Sequence, residues 1–386
     1  MARVTTPGGA VAQFNSHGQV TSIRMPGMTI QHGAGGQRTI VSLKKDAAGH
    51  VYSVVSTGVH SGFVERSFAV NGQTYLRKTY VANGQAVTRV YGGYSYRGIM
   101  YYYYMPFFYY MPGFYDWMDS PWGPGAAYGW GWGPWYPTYG YYFGAYPQYP
   151  NAAMWLSDYV VATNLEAAYQ GRGPEQAALA NNTSKPLMTP DVKQAIADEV
   201  SAQLTEERQA AAQLPAAGTM ARPGGASAAN PATERMPAAL DPKHRVFIVV
   251  MPLTEEAADG SQCLLRPGDV LERLDDSPDA HNRVTAMVWT SLKDDCRPGA
   301  KLNVSVKSLQ EMDNQFRAQV DAGVAKLAAS QGKDGIPSGP AANPREVAAV
   351  KTQPDTTAIK ELQQQELQAA QAEKEVAQAT KPGPSN

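Results

Sequence analysis

Tyr91-Gly92-Gly93-Tyr94-Ser95-Tyr96-Arg97-Gly98-Ile99-Met100 followed by Tyr101-Tyr102-Tyr103-Tyr104-Met105-Pro106-Phe107-Phe108-Tyr109-Tyr110 opens the stretch that decides how the chain is read. From Tyr91 to Tyr149 the sequence holds 26 of the chain's 38 aromatic residues, and Arg97, Asp116 and Asp119 are its only charges. Gly and Pro recur every few positions, so the path must turn repeatedly and cannot form one long helix. Tyr and Trp rings have apolar faces and a polar handle, and they pack on one another, on Pro rings and on sugars. Left exposed, such a stretch would exceed the roughly few hundred Å² of apolar patch usual on a monomer. Burial within the chain or between chains is therefore the expectation, as an ordered aromatic layer over residues 91–150. The candidate residues for assembly contacts or glycan stacking are Tyr101, Tyr102, Tyr103, Tyr104, Trp117, Trp122, Trp130, Trp132 and Trp135.

Before this layer, short β-type runs alternate with Gly-centred turns. Val11 to Asn15, Gln19 to Arg24, Met28 to His32, Arg38 to Leu43, Val51 to Thr57, Phe63 to Val70, Thr74 to Val81 and Ala86 to Tyr91 read as strands. Asn71-Gly72 and Asn83-Gly84 are type I′ hairpin signals and predict an antiparallel β meander over residues 1–90. Exposed strand edges there would offer an assembly surface. The same ninety residues carry nine Arg or Lys against Asp46 and Glu65, about +7, whereas the whole chain is −1 and the remainder therefore about −8. A basic β module suits a polysaccharide or another polyanion, or it is a solvated face whose cations protect the edges.

After the layer the period becomes helical. Ala153, Leu156, Val160, Thr163, Leu165 and Tyr169 allow one helix, with Trp155 and Tyr159 able to pack back on the aromatic residues. Thr189 as N-cap, Pro190 and Asp191 start a second, whose Val192, Ile196, Val200 and Leu204 recur every four residues. Together these give a helical segment over 151–213. Residues 214–243, rich in Ala, Pro and Gly, read as a flexible linker. Residues 244–330 read as a small β module capped by a helix from Ser308, whose stripe is Leu309, Met312, Phe316, Val320, Val324 and Leu327. Residues 331–386 read as a flexible tail with a weak helix anchored by Ile359, Leu362 and Leu367. The fold class is thus α+β.

Within the C-terminal module, Pro267-Gly268-Asp269-Val270-Leu271 and Pro298-Gly299, followed by Leu302, Val304 and Val306, resemble the PDZ family over residues 246–306. In that family a Pro-Gly-Asp turn precedes one strand and a second Pro-Gly precedes the last. The resemblance implies a small β-barrel-like fold. The family's Gly-rich loop for a peptide terminus has no match here, so peptide binding is not implied. Cys263 and Cys296, the chain's two cysteines, precede the two Pro-Gly turns. That matched placement suggests a disulfide closing a loop of about 34 residues in an oxidising compartment; two buried free thiols are the alternative. In layout the whole chain resembles uncharacterised bacterial Tyr/Trp/Gly-rich envelope or extracellular proteins.

No nucleophile elbow, P-loop, dinucleotide fingerprint or zinc spacing occurs, so no catalytic, cofactor or metal residue is nominated. Asp275, Asp276 and Asp279 form a Pro-containing acidic loop without calcium-loop spacing. Ile99 to Trp117, the most apolar run, is broken by Pro106 and Pro112 and predicts no membrane span. The start of the sequence has no apolar secretory region, which leaves a removed leader or a cytoplasmic protein. The expectation is a non-enzymatic structural or adhesive protein of the cell envelope or extracellular matrix, with a cytoplasmic location as the alternative. It would self-associate as a homo-oligomer or polymer through aromatic surfaces and strand edges, without a specific nucleic acid partner. A carbohydrate-binding module using exposed Trp and Tyr is the rival reading.

Overall fold

The computed structural model describes residues 2–33, 38–58, 61–70, 72–82, 84–123, 126, 133–170, 188–214, 235–292, 296–347 and 355–380. Its described helices are α1 (Pro112–Asp119), α2 (Tyr136–Phe143), α3 (Ala152–Gln170), α4 (Pro190–Gln213), α5 (Val306–Ser330) and α6 (Ala358–Ala379). The chain divides into two compact units, one formed by Met1–Tyr91 with Thr352–Asn386 and the other by Gly92–Lys351.

The first unit is a large antiparallel meander. β1 (Ala2–Thr5), β2 (Val11–Phe14), β3 (Val20–Met25), β4 (Met28–His32), β5 (Arg38–Lys45), β6 (Val51–Gly58), β7 (Ser61–Val70), β8 (Gln73–Ala82) and the first half of β9 (Gln85–Tyr96) are neighbours in sequence order. β1 was not foreseen. Asn71 and Asn83 lie outside the described residues. Their partners Gly72 and Gly84 have φ of 77° and 73°, the left-handed conformation that a two-residue hairpin requires. Val70 pairs with Gln73 across the first of these turns.

Residues opposite one another in an antiparallel pair lie on the same face. Ala12, Ile23, Ile30 and Ile40 follow one another across four strands and are at most 1% exposed. Helix α6 covers this face: Ala369, Ala372 and Val376 pack on those residues, while Ala358 and Leu362 pack on Val54, Val64 and Val81. Gly62 lets the helix approach, since a Cβ there would lie 2.8 Å from Leu362 Cδ2. The expected loosely held tail is therefore corrected in residues 358–379. Its small apolar residues looked insufficient in sequence because their partner, a flat strand face, lies some three hundred positions away.

In the second unit β9 continues to Tyr96, turns at Arg97-Gly98, both with positive φ, and is followed by β10 (Ile99–Met105). The aromatic stretch then folds inward. Pro112 starts α1, Pro137 lies in the first turn of α2, and Gly144 ends α2 at a φ of 53°. Phe114, Tyr115, Trp122, Trp135, Tyr142, Phe143 and Tyr149 join α3, α4 and α5 in one core. α3 is buried on most sides, and it meets α5 closely at Gly323, where a Cβ would lie 2.6 Å from Leu156 Cδ2.

The C-terminal module is an open sheet in the order β12 (Val246–Ile248), β15 (Val270–Arg273), β16 (Arg283–Thr290), β17 (Lys301–Ser305). A separate hairpin joins β13 (Leu253–Glu256) to β14 (Gln262–Leu265), and β11 (Phe108–Tyr109) pairs with β18 (Arg345–Glu346). The barrel-like expectation is corrected, since among the described residues no sheet closes. β12 lies at one end of the four-strand order and β17 at the other, and α5 packs on both, so a helix covers the apolar face that closure would have buried. Ser305 caps α5 through Ser308 N at 3.0 Å, which starts this helix two residues earlier than its apolar stripe suggests. Residues 215–234 of the expected linker lie outside the described residues. Its end is ordered, with Ala239 and Leu240 at most 1% exposed in the core of the β module. The expected boundaries between layer, helices and module do not separate compact bodies. Ile248, Val270 and Leu292 of the module share one core with α3 and the aromatic stretch.

Candidate functional site

The two faces of the N-terminal sheet differ in chemistry. On the covered face Arg38 bridges two carboxylates of α6, with Nη1 2.5 Å from Glu366 and Nε 2.7 Å from Glu373. Arg66 bridges Asp355, just before α6, at 2.7 Å and Glu361 of α6 at 2.6 Å, its guanidinium 3.8 Å from the Tyr52 ring centre. His32 Nε2 lies 3.3 Å from Glu373, and burial holds this imidazole below its ordinary value despite the carboxylate. Ser56 donates to Glu366. At the centre the fully buried Gln365 amide donates to Val54 O at 2.7 Å, Ser42 Oγ at 2.9 Å and Ile40 O at 3.3 Å. The basic beginning and acidic end of the chain thus neutralise each other on this face.

The other face has no helix on it among the described residues. From β1 to β6 it carries Arg3, Thr5, Val11, Gln13, Ser22, Arg24, Thr29, Gln31, Thr39, Val41, Leu43, Lys45, Val51, Ser53 and Val55, as the strand pairings require. Leu43 is 61% and Val51 57% exposed. The first carboxylate on this face is Glu65 of β7, held by Lys78 Nζ at 2.8 Å and by the Ser53 hydroxyl at 2.9 Å. Beyond it Lys78 lies 4.4 Å from the Phe63 ring centre, and the Tyr80 and Tyr91 hydroxyls are 2.9 Å apart.

Among the described residues the nominated aromatic side chains do not form an exposed stack. Tyr101, Trp122 and Trp135 are buried, at 2%, 6% and 3% exposure. Tyr101 OH accepts from Asn282 at 2.7 Å. Tyr102, Tyr103 and Tyr104 are half-buried on β10. Asn314 of α5 binds Tyr102 O at 2.9 Å and Tyr104 N at 2.8 Å, while the Arg235 guanidinium lies 4.3 Å from the Tyr103 ring centre. Trp117 is half-buried against Phe114 and Trp122, with ring centres 5.3 and 5.8 Å away. Trp130 and Trp132 lie outside the described residues. The physical reason is the one that made exposure costly: the rings find apolar partners in the helices that follow them.

Sequence reading missed the buried polar groups of the second unit, because their partners are distant in the chain. Lys193 Nζ lies 2.7 Å from Asp158 Oδ1, both side chains at most 4% exposed, and 3.9 Å from the Tyr146 ring centre. Asp158 also accepts from Tyr149 OH at 2.9 Å and Tyr146 N at 3.1 Å, pinning the aromatic stretch to α3 and α4. Desolvation pushes the Asp158 carboxyl up and the Lys193 ammonium down, and their mutual attraction opposes both. His244 Nδ1 is 2.7 Å from Glu199 and Nε2 is 3.4 Å from Glu206. Those two hydrogen bonds raise the imidazole to about 10. Desolvation pushes Glu206 up, yet the hydrogen bonds from His244 and Arg317 bring it down to about 2. The cavity beside His244, lined also by Gln203, Phe247, Met312 and Phe316, has about 10 Å³, room for one water.

In the C-terminal module Asp269 accepts from Arg266 N and Leu292 N, both at 2.7 Å, tying the Pro-Gly-Asp turn to the end of β16. Burial pushes its carboxyl up to about 7 against the pull of these donors. Cys263 and Cys296 are bonded, with Cα atoms 4.8 Å apart. The acidic loop is internally engaged: Asp276 pairs with Arg245 at 2.6 Å and Arg273 at 2.8 Å, and Asp279 accepts from the backbone of His281 and Arg283. Among the described residues no group of three or more His, Cys, Asp or Glu is placed to hold a metal ion, and no helix is long and apolar enough to cross a membrane.

No family model, no curated protein and no solved structure matches this chain.

Proposed function

We propose that the chain is a non-enzymatic structural or adhesive protein of the cell envelope or extracellular matrix, and that its N-terminal sheet is the working surface. The observation that carries this reading is the asymmetry of that sheet. One face is covered by the chain's own helix, while the other presents Val41, Leu43 and Val51 at 36%, 61% and 57% exposure beside rows of hydroxyl and amide side chains. The strand order ends at β1, beyond which no described strand pairs, so its outer edge is the place where a second copy would add. Aromatic residues serve here as the internal core that holds the second unit together, and self-association through them is replaced by association through the sheet edge. The Cys263–Cys296 bond supports an oxidising compartment.

Light scattering on the purified chain at micromolar concentrations should reveal oligomers that persist in reductant. A monodisperse monomer throughout that range would remove the assembly element.

A further inference from the structure

We propose that the uncovered face of strands β1 to β6 binds a linear acidic polysaccharide. The inference rests on the adhesive reading above and names its partner.

Three cations, Arg3, Arg24 and Lys45, stand exposed on this face and no carboxylate stands on it across six strands. The register places them on one oblique line. Arg24 shares a row with Thr5, Val11, Thr29, Val41 and Val55; Arg3 lies two residues to one side of that row and Lys45 four to the other. With strands about 4.8 Å apart and about 3.4 Å per residue, Arg3 to Arg24 spans about 12 Å and Arg24 to Lys45 about 17 Å. An extended chain with repeated anionic groups can meet all three; a small anion cannot.

The rest of the face fits sugar. Thr5, Thr29, Gln31 and Thr39 lie among the cations and present hydroxyls and an amide to a polyol, beside Gln13, whose side-chain oxygen accepts from the Ser22 hydroxyl at 3.2 Å. Val41, Leu43 and Val51 offer aliphatic surface to the C–H faces of pyranose rings.

Other occupants fit less well. Single-stranded nucleic acid is held by aromatic side chains on which bases stack, and this face has none from β1 to β6, since Phe14 and Tyr52 point to the covered side. A second copy laid face to face would set cations against cations with no acid to separate them. The covered face cannot serve, because α6 carboxylates already occupy Arg38 and Arg66.

The test uses the full chain with polygalacturonate as probe, neutral dextran and a thirty-residue oligothymidylate as comparators, and light scattering on the same samples. Polygalacturonate should bind, dextran should not, and oligothymidylate should bind more weakly. Binding should weaken as salt rises from about 0.05 to about 0.5 M. The triple variant Arg3→Ser, Arg24→Ser, Lys45→Ser should lose at least about tenfold in affinity with an unchanged circular dichroism spectrum. Lys44→Ser, on the covered face, should bind like the wild type. Failure of polygalacturonate to bind, equal binding by the triple variant, or tighter binding of oligothymidylate would each overturn the proposal. A monomeric chain that binds polygalacturonate through these residues would retire the assembly reading and leave this one standing.

Discussion

Replacing His244 by Gln removes a buried cation while keeping a hydrogen-bonding side chain, and its effect can be worked from the geometry. His244 faces Glu199 and Glu206 from α4 and Arg317 and Asp313 from α5, and its side chain is 10% exposed. Its imidazole is raised from 6.5 to about 10 by the Glu199 and Glu206 hydrogen bonds, burial working against them. A group whose affinity for protons is higher in the folded state contributes stability that is fully present below its unfolded value and is lost as pH rises through its folded value. At about 1.4 kcal/mol per tenfold change in proton affinity, this contribution is about 5 kcal/mol below pH 6.5 and about 1.4 kcal/mol by pH 9. Glu206 is 50% exposed and screened by solvent, so about 3 kcal/mol is the working expectation, with a loss of about 2 kcal/mol between pH 6.5 and 9. All seven Trp lie between Trp117 and Trp289, so their fluorescence during urea unfolding reports the second unit alone. His244→Gln should destabilise that unit strongly at pH 6.5 and much less at pH 9. A penalty of equal size at both pH values would show that the imidazole is uncharged and refute the reasoning.

Gln365→Ala strips three buried donor contacts from Val54, Ser42 and Ile40 and should cost about 2–4 kcal/mol in the Trp-free first unit; faster hydrogen exchange of β5 and β6 amides, with Trp fluorescence unchanged, is the expected readout. Lys193→Met leaves the Asp158 carboxylate buried without its cation and should destabilise the second unit by about 3–5 kcal/mol, while the double change with Asp158→Leu should recover much of the loss in the same urea titration. Reduction of the Cys263–Cys296 bond should lower the stability of the second unit by about 3–4 kcal/mol, from the 33-residue separation it closes, measured as a shift of the Trp transition in reductant.

Local readings were legible wherever the signal was short in range. The turns before Gly72 and Gly84 require positive φ that Gly supplies, and strands run on either side of each. Thr189 and Pro190 begin α4 as their chemistry dictates, Thr189 Oγ1 accepting from Val192 N. The extent of α3 burial was not legible, because Asp158 and Asn164 break its apolar pattern. Their partners Lys193 and Gln319 sit on other helices, the Asn164 and Gln319 amides exchanging hydrogen bonds at 2.9 and 3.1 Å. The same holds for α6, whose alanine stripe carries too little apolar area to announce itself.

Charge behaves likewise. Composition alone established that residues 1–90 are basic and the remainder acidic, and that an aromatic, Gly- and Pro-broken stretch follows the strands. Only tertiary structure decided which cations remain available, because α6 returns across the chain to neutralise Arg38 and Arg66 on one face while Arg3, Arg24 and Lys45 stay on the other. It also decided that Phe114, Trp122, Trp135, Tyr142 and Phe143 are buried in the core of the second unit. Alternation and turn chemistry act over a few residues and are written in the sequence; the choice of what each face meets is made by partners hundreds of positions away.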